Sequence, residues 1–193
     1  MSWSLGEARS LAVKAARGSG LPWGLAEEAG FALDWLQSSG APGIEALAAL
    51  LDARENQPED STICPFYLGT ALADGARAVP RDTFIVEQPL LLIPFLAMAK
   101  YDQPMSILWS DIEVSFSEAG IDVESLSRNL LYDKASCSLQ EITSVISPAT
   151  EIRVPDTARE SMKRLAHHAH KTYAPATEQS RLAGAGAGVT DND

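Results

Sequence analysis

The amino-acid sequence predicts an α+β domain in which N-terminal helices pack on a mainly antiparallel sheet. Two observations support this prediction. Apolar residues recur with helical spacing in the first third of the chain, and strand-type residues become frequent after Gly75. Helices followed by strands favour this class over an alternating parallel α/β sheet. We expect the 193 residues to form one domain over residues 1–175, with a C-terminal helix and a glycine-rich tail over residues 176–193.

The first two helices are predicted from their start signals. Ser4 and Glu7 have the spacing of a capping box, and the helix that they begin should end near Gly18. Pro22 suits the first turn of a second helix. The apolar face of this second helix comprises Leu25, Ala29, Ala32, Leu33 and Leu36.

Three more helices are predicted from apolar periodicity and proline positions. The third covers residues 43–54, and a short fourth covers residues 64–73 with Pro65 near its start. The last begins at Pro155 and ends near Tyr173, with an apolar stripe on one side and a basic flank on the other. The basic flank comprises Arg159, Lys163, Arg164 and Lys171.

The strands are predicted from alternating or β-branched sequences in the second half of the chain. Residues 83–87 predict one strand, and residues 105–109 with 112–116 predict a hairpin. Residues 90–99 are either a strand or a buried helix, and Pro94 disfavours a central strand. Weaker strand candidates are residues 130–132, 141–146 and 151–154.

The net charge of −11 and the pI of about 4.7 make nucleic acid an unsuitable partner. This acidity lies entirely in residues 1–150, because residues 151–193 contain six acidic and six basic residues. A neutral C-terminal segment with a basic helix flank therefore follows an acidic body. We expect function at the seam between the two.

The sequence excludes several other classes of protein. The most apolar run, residues 89–99, is too short and too rich in proline to cross a membrane, and the N-terminus does not resemble a signal peptide. Cys64 and Cys137 are far apart and form no metal-binding pair, so we expect a cytoplasmic protein. No motif for a cofactor or a metal is present, and none is predicted.

Several stretches resemble a family of short bacterial proteins that is classed as a domain of unknown function. These stretches are Lys14-Ala15-Ala16-Arg17-Gly18, Trp23-Gly24-Leu25-Ala26-Glu27-Glu28-Ala29-Gly30, Gly184-Ala185-Gly186-Ala187-Gly188 and Asp191-Asn192-Asp193. The resemblance implies no activity, because the family has no assigned chemistry. It does imply that the glycine-rich end belongs to the protein.

The glycine-rich end is the first candidate site. Its glycines, Gly184, Gly186 and Gly188, permit close backbone approach to a ligand. Arg181 would pair with a ligand anion, while Asp191 and Asp193 would act either as acid–base groups or as ligands of a hard metal ion. The alternative is a frayed tail. A dinucleotide-binding loop is rejected because only five residues follow Gly188.

A second candidate site lies on the second helix. Glu27, Phe31 and Trp35 share one face, and Trp23 and Glu28 lie close by. A carboxylate beside aromatic rings has a raised pKa and can act as a general base. The alternative is a helix that is buried on two sides, with its acidic residues favoured by the helix dipole.

The histidines and cysteines are weaker candidates. His167 and His170 could share a metal, but a solvated face is the better interpretation, with His168 partly buried beside the apolar stripe. Cys64 lies at a predicted helix start, where a thiolate is favoured, although a buried small residue is common there and is the better interpretation. Together with Cys137 it could form the opposed thiols of a cofactor-free racemase.

Two functions follow from these observations. The first is a small enzyme or ligand-binding protein that acts on a small anionic metabolite, with Glu27 or Glu28, Tyr173, Arg181 and the final acidic residues lining its cleft. The second is a non-catalytic accessory protein that docks on a partner enzyme, or self-associates as a homo-oligomer, through its C-terminal segment. The sequence favours the first, and the reaction stays open.

Overall fold

The computed structural model describes residues 3–55, 63–78, 80–99, 104–126, 128–143, 147 and 158–173. Within these residues a group of helices packs against a five-stranded antiparallel sheet, as the sequence predicts for an α+β protein. None of the helices in the described ranges is long and apolar enough to span a bilayer.

Four helices form the N-terminal part of the fold, and three more follow. They are α1 (Leu5–Gly18), α2 (Trp23–Ser38), α3 (Gly43–Glu55), α4 (Pro65–Ala73), α5 (Ile93–Met98), α6 (Val123–Leu126) and α7 (Arg159–His170). The capping box at the start of α1 is confirmed, because the Ser4 hydroxyl accepts the Glu7 N–H and the Glu7 carboxylate accepts the Ser4 N–H at 2.8 Å. Pro22 is the residue immediately before α2 rather than in its first turn, and Pro65 is in the first turn of α4.

The sheet has the strand order β1–β5–β2–β3–β4, and every neighbouring pair is antiparallel. The strands are β1 (Phe84–Glu87), β2 (Met105–Trp109), β3 (Ile112–Ser117), β4 (Gly120–Ile121) and β5 (Lys134–Glu141). The predicted hairpin is confirmed, with Trp109 opposite Ile112 and Ser110 in the left-handed conformation that such a tight turn requires. Strand β5 lies between β1 and β2 but is longer than β1.

The remaining strand candidates have different outcomes. Residues 90–99 adopt the helical alternative: a 3₁₀ turn (Pro89–Leu92) runs into α5, which suits Pro94 in a first turn. Residues 130–132 form no strand, and the strand predicted over residues 141–146 is instead the end of β5 at Glu141. Residues 144–146 and 151–157 lie outside the described residues, as does the predicted tail over residues 176–193.

The core lies between the helices and one face of the sheet. Its largest fully buried side chains include Trp109, Phe66, Phe95 and Phe116. Phe95 of α5 packs edge-on against Phe66 of α4 and Phe31 of α2, with ring centroids 6.3 and 5.8 Å apart. These contacts fix α4 and α5 beside α2, which leaves α7 to pack separately on α1 and α3.

Candidate functional site

The predicted seam exists as a helix junction, because α7 from the neutral C-terminal segment packs on α1 and α3 of the acidic body. The apolar stripe of α7 is buried there, including Met162, Leu165 and Ala169. The two backbones approach so closely at Gly18 that a Cβ atom would overlap the carbonyl oxygen of His168. The junction is therefore tightly packed.

His168 is the central polar residue of this junction. Its side chain is 1% exposed and lies between Asp52 of α3 and Ser19, the residue that caps the C-terminus of α1. The Nε2 atom is 2.6 Å from Asp52 Oδ1, and the Nδ1 atom is 3.0 Å from Ser19 Oγ. In the neutral ring, Nε2–H donates to the carboxylate and Nδ1 accepts the serine proton. One imidazole therefore links three helices.

Two ion pairs hold the basic flank of α7 on the acidic body. Arg164 Nε donates to Asp52 Oδ2 at 2.6 Å, and Lys171 Nζ lies 2.6 Å from Glu55 Oε1. Partial burial acts to raise the pKa of Asp52, but hydrogen bonds from His168 and Arg164 outweigh it and lower that pKa below its usual range. The basic flank is thus largely bound within the chain.

The Ser19–His168–Asp52 arrangement contains the residue types of a catalytic triad. A nucleophilic serine also needs hydrogen-bond donors for the oxyanion that forms during attack. The nearby backbone N–H groups already have acceptors, since Ser19 donates to Ala15, Gly20 to Arg17 and Leu21 to Ala16. The helix C-terminus also disfavours developing negative charge. We therefore interpret this network as the contact that holds α7 in place.

This network predicts acid sensitivity. Asp52 has a lowered pKa in the folded state, so it stabilises the fold above its unfolded pKa of about 4 and loses that contribution as the pH falls through the folded value. We expect Asp52→Asn to show a smaller loss of unfolding free energy between pH 5 and pH 3 than the wild type, by urea denaturation. Equal losses in the two proteins would contradict the prediction. Asp34→Asn, which removes a half-buried carboxylate outside this network, is the control.

The second-helix candidate is divided between two environments. Trp23 is 65% exposed, and its ring is covered by the Arg17 guanidinium, 4.6 Å from the ring centroid. Glu27 is exposed, whereas Glu28 is partly buried. Burial, with the neighbouring charges of Asp74 and Glu27, raises the pKa of Glu28. The carboxylate predicted to lie beside the aromatic rings is that of Glu27, so the raised pKa of Glu28, which burial and like charges cause, does not test that prediction.

The aromatic face of α2 contributes to the core rather than to a cleft. Phe31 and Trp35 are partly buried and pack against the hydrophobic core. Phe31 makes the edge-on contact with Phe95 described above. This agrees with the alternative of a helix buried on two sides.

The C-terminal candidates are placed only in part. Tyr173 is 56% exposed and packs edge-on against His170, with ring centroids 5.1 Å apart. His167 and His170 are exposed, and no group of three or more metal-binding side chains occurs in the described ranges. Outside those ranges lie Arg181, Gly184, Gly186, Gly188, Asp191 and Asp193.

The two cysteines are buried free thiols. Cys64 caps the N-terminus of α4 as predicted, but burial raises its pKa despite opposing contributions from nearby N–H groups and Arg54. Burial raises the pKa of Cys137 to about 12. These environments oppose the thiolate form that a nucleophile would require.

A groove beside β5 is lined by charged, polar and apolar residues and is open to solvent. Its volume is about 480 Å³. The lining residues are Ala78, Pro80, Arg81, Met105, Leu139, Gln140 and Glu141. In the described part of the chain, neither Arg81 nor Glu141 has an ion-pair partner. Sequence reasoning missed this groove, because no local pattern brings residues 78–81 beside the end of β5.

Comparison with known proteins supports the resemblance stated above for part of the chain. Residues 3–77, which include α1 to α4, match a family described as "Protein of unknown function (DUF3726)". No curated protein and no solved structure matches the chain. The sheet, the groove wall formed by β5, and α7 lie beyond the matched residues.

Proposed function

We propose that this protein is a small enzyme or ligand-binding protein that takes a small anionic metabolite into the groove beside β5. One observation carries the proposal: the Arg81 guanidinium lines open space without an ion-pair partner among the described residues. A guanidinium pairs well with carboxylate or phosphate through two parallel hydrogen bonds. Met105 and Leu139 add apolar contact, and the volume of about 480 Å³ suits a small molecule.

The groove is a better candidate than the helix junction, because a binding site needs polar groups that are free to meet a ligand. At the junction, Ser19, Asp52 and His168 already bind one another, and Arg164 binds Asp52. At the groove, Glu141 is exposed, and its carboxylate can accept a proton from the ligand or a hydrogen bond from an ammonium group of the ligand. Arg81 takes the role that the sequence assigned to Arg181.

The alternative of an accessory protein that docks on a partner enzyme has less support than ligand binding, because the basic flank of α7 is largely bound at the helix junction. Two of the basic side chains that would dock on a partner, Arg164 and Lys171, bind Asp52 and Glu55 within the chain. Lys163 pairs with Glu160 on the exposed side of α7. Self-association through residues 174–193 stays a prediction, since these residues lie outside the described part. We propose a cytoplasmic location, because Cys64 and Cys137 are free thiols.

Arg81→Gln tests the proposal. Succinate and inorganic phosphate serve as probes of the two anion classes, and calorimetry measures their affinity. We expect at least one of them to bind the wild type. The variant should bind that probe at least about tenfold more weakly, which corresponds to a loss of about 1.4 kcal/mol of binding free energy. Arg77→Gln removes an exposed positive charge from the same loop without touching the groove lining, so it should bind as the wild type does. Undiminished binding by Arg81→Gln would contradict the proposal.

A further inference from the structure

The groove beside β5 carries one positive and one negative side chain at the same end. In the register of β1 and β5, Phe84 lies opposite Cys137. Continuation of that register places Arg81 level with Gln140, next to Glu141, and all three line the groove. Neither charged side chain has an ion-pair partner in the described part of the chain. Two charges of opposite sign are therefore available to one ligand at this end.

The side chain of Gln140 is held in a defined orientation. Its Nε2 atom donates to Glu113 Oε1 at 2.8 Å, and the Ser106 hydroxyl donates to the same oxygen at 2.8 Å. Because a carboxylate can only accept, the Gln140 amide must present its nitrogen to Glu113. Ser106 is fully buried in β2, which fixes the position of that carboxylate. The Gln140 amide oxygen therefore stays available as an acceptor beside Arg81.

These three side chains match the carboxylate and ammonium groups on the α-carbon of an amino acid. The carboxylate pairs with the Arg81 guanidinium through two parallel hydrogen bonds. The ammonium group has three N–H donors, which the Gln140 amide oxygen and the Glu141 carboxylate can accept. A neutral hydroxyl group in its place would not compensate the charge of Glu141. The end of the groove therefore favours an amino acid over a hydroxy acid.

The rest of the groove lining is apolar, and it consists of Ala78, Pro80, Met105 and Leu139. An apolar ligand side chain would bury its surface against these residues, and the volume of about 480 Å³ has room for it. We propose that the groove binds a free α-amino acid with an apolar side chain, held by Arg81, Gln140 and Glu141. Glu113 is a positioning residue that acts through Gln140. The inference rests on the proposed function and names its ligand class.

The test compares L-leucine with analogues that each change one of its groups. Isocaproate lacks the ammonium group, α-hydroxyisocaproate has a hydroxyl group in its place, isoamylamine lacks the carboxylate, and glycine lacks the side chain. Calorimetry measures each affinity for the wild-type chain, Arg81→Gln and Glu141→Gln. We expect leucine to bind the wild type at least about tenfold more tightly than each analogue. Arg81→Gln should remove the advantage over isoamylamine, and Glu141→Gln should remove most of the advantage over isocaproate.

Glu113→Gln tests the positioning role. The new amide can present either an oxygen or an N–H group, so it no longer fixes which end of the Gln140 amide faces Arg81. We expect the variant to bind leucine about threefold to tenfold more weakly, but to bind isocaproate, which has no donor for Gln140, as the wild type does. In a Gln140→Leu background, Glu113→Gln should have no further effect on leucine binding. Equal weakening of both ligands by Glu113→Gln would contradict this role.

The outcomes separate this inference from the proposed function. Leucine binding to the wild type no tighter than isocaproate binding would overturn the inference, as would leucine binding that Arg81→Gln and Glu141→Gln leave unchanged. The proposed function would survive the first result if Arg81→Gln still weakened the binding of isocaproate or succinate. Absence of binding by leucine, isocaproate, succinate and phosphate would overturn both. Arg77→Gln again serves as the control and should bind every probe as the wild type does.

Discussion

Replacement of His168 by alanine is expected to lower the free energy of unfolding by about 2–4 kcal/mol. The imidazole is fully buried and bonds to both Asp52 and Ser19 across three helices. The substitution leaves a cavity and two polar groups without their partner, and it releases the point at which α7 is held on the body. Urea denaturation at pH 7, followed by the helical circular dichroism signal, measures the effect. We expect the midpoint of the variant to lie at a lower urea concentration than that of the wild type.

The neighbouring histidine provides a matched control. His167 is exposed on the same helix, so His167→Ala should change the unfolding free energy by no more than about 0.5 kcal/mol. Comparison of the double variant Asp52→Ala/His168→Ala with the two single variants separates the contribution of the hydrogen bond from the loss of packing. If the hydrogen bond contributes, the two single effects will not add. Equal destabilisation by His167→Ala and His168→Ala would contradict the assignment of His168 as the link between helices.

The helices and the hairpin could be predicted from the sequence because their signals are local. Ser4 and Glu7 are three residues apart and satisfy each other's backbone in the first turn of α1. Pro22 and Pro65 fix the starts of α2 and α4 through their own dihedral angle. Strand β3 alternates apolar and polar residues, and a two-residue turn joins it to the apolar strand β2. In each case the residues that determine the structure lie within a few positions of one another.

Strand β5 shows why other elements were missed. Its first residues alternate small and polar side chains, and only Ala135, Cys137 and Leu139 turn to the core face. Its central place in the sheet comes from pairing with β1 and β2, about 30–50 residues earlier in the chain. A short-range pattern cannot contain that information. The groove follows from the same pairing, so neither Arg81 nor Glu141 could be recognised before the register was known.

The junction between α7 and the acidic body could be predicted only in part. The uneven charge of the sequence pointed to a seam between the acidic body and the C-terminal segment, and the pairs Arg164–Asp52 and Lys171–Glu55 lie where α7 packs on that body. The sequence could not show that Asp52 would also bind His168, 116 residues away. The nearest acidic residue in the chain, Glu160, suggested that the histidines had no carboxylate partner. Tertiary packing supplied one from α3.

Gly18→Ala is expected to destabilise the fold by about 3 kcal/mol or more, because a Cβ atom at this position would overlap the His168 carbonyl oxygen. A backbone oxygen cannot rotate away as a side chain can, so α7 must shift and weaken the bonds of His168. Gly6→Ala is the control in the same helix: its Cβ meets nothing within 4 Å, and the gain in helix propensity should stabilise the protein by up to about 1 kcal/mol. Thermal denaturation should therefore move in opposite directions for the two variants. A higher melting temperature for Gly18→Ala would show that α7 does not approach α1 this closely. It would also contradict the contacts assigned to Ser19, Asp52 and His168 at this junction.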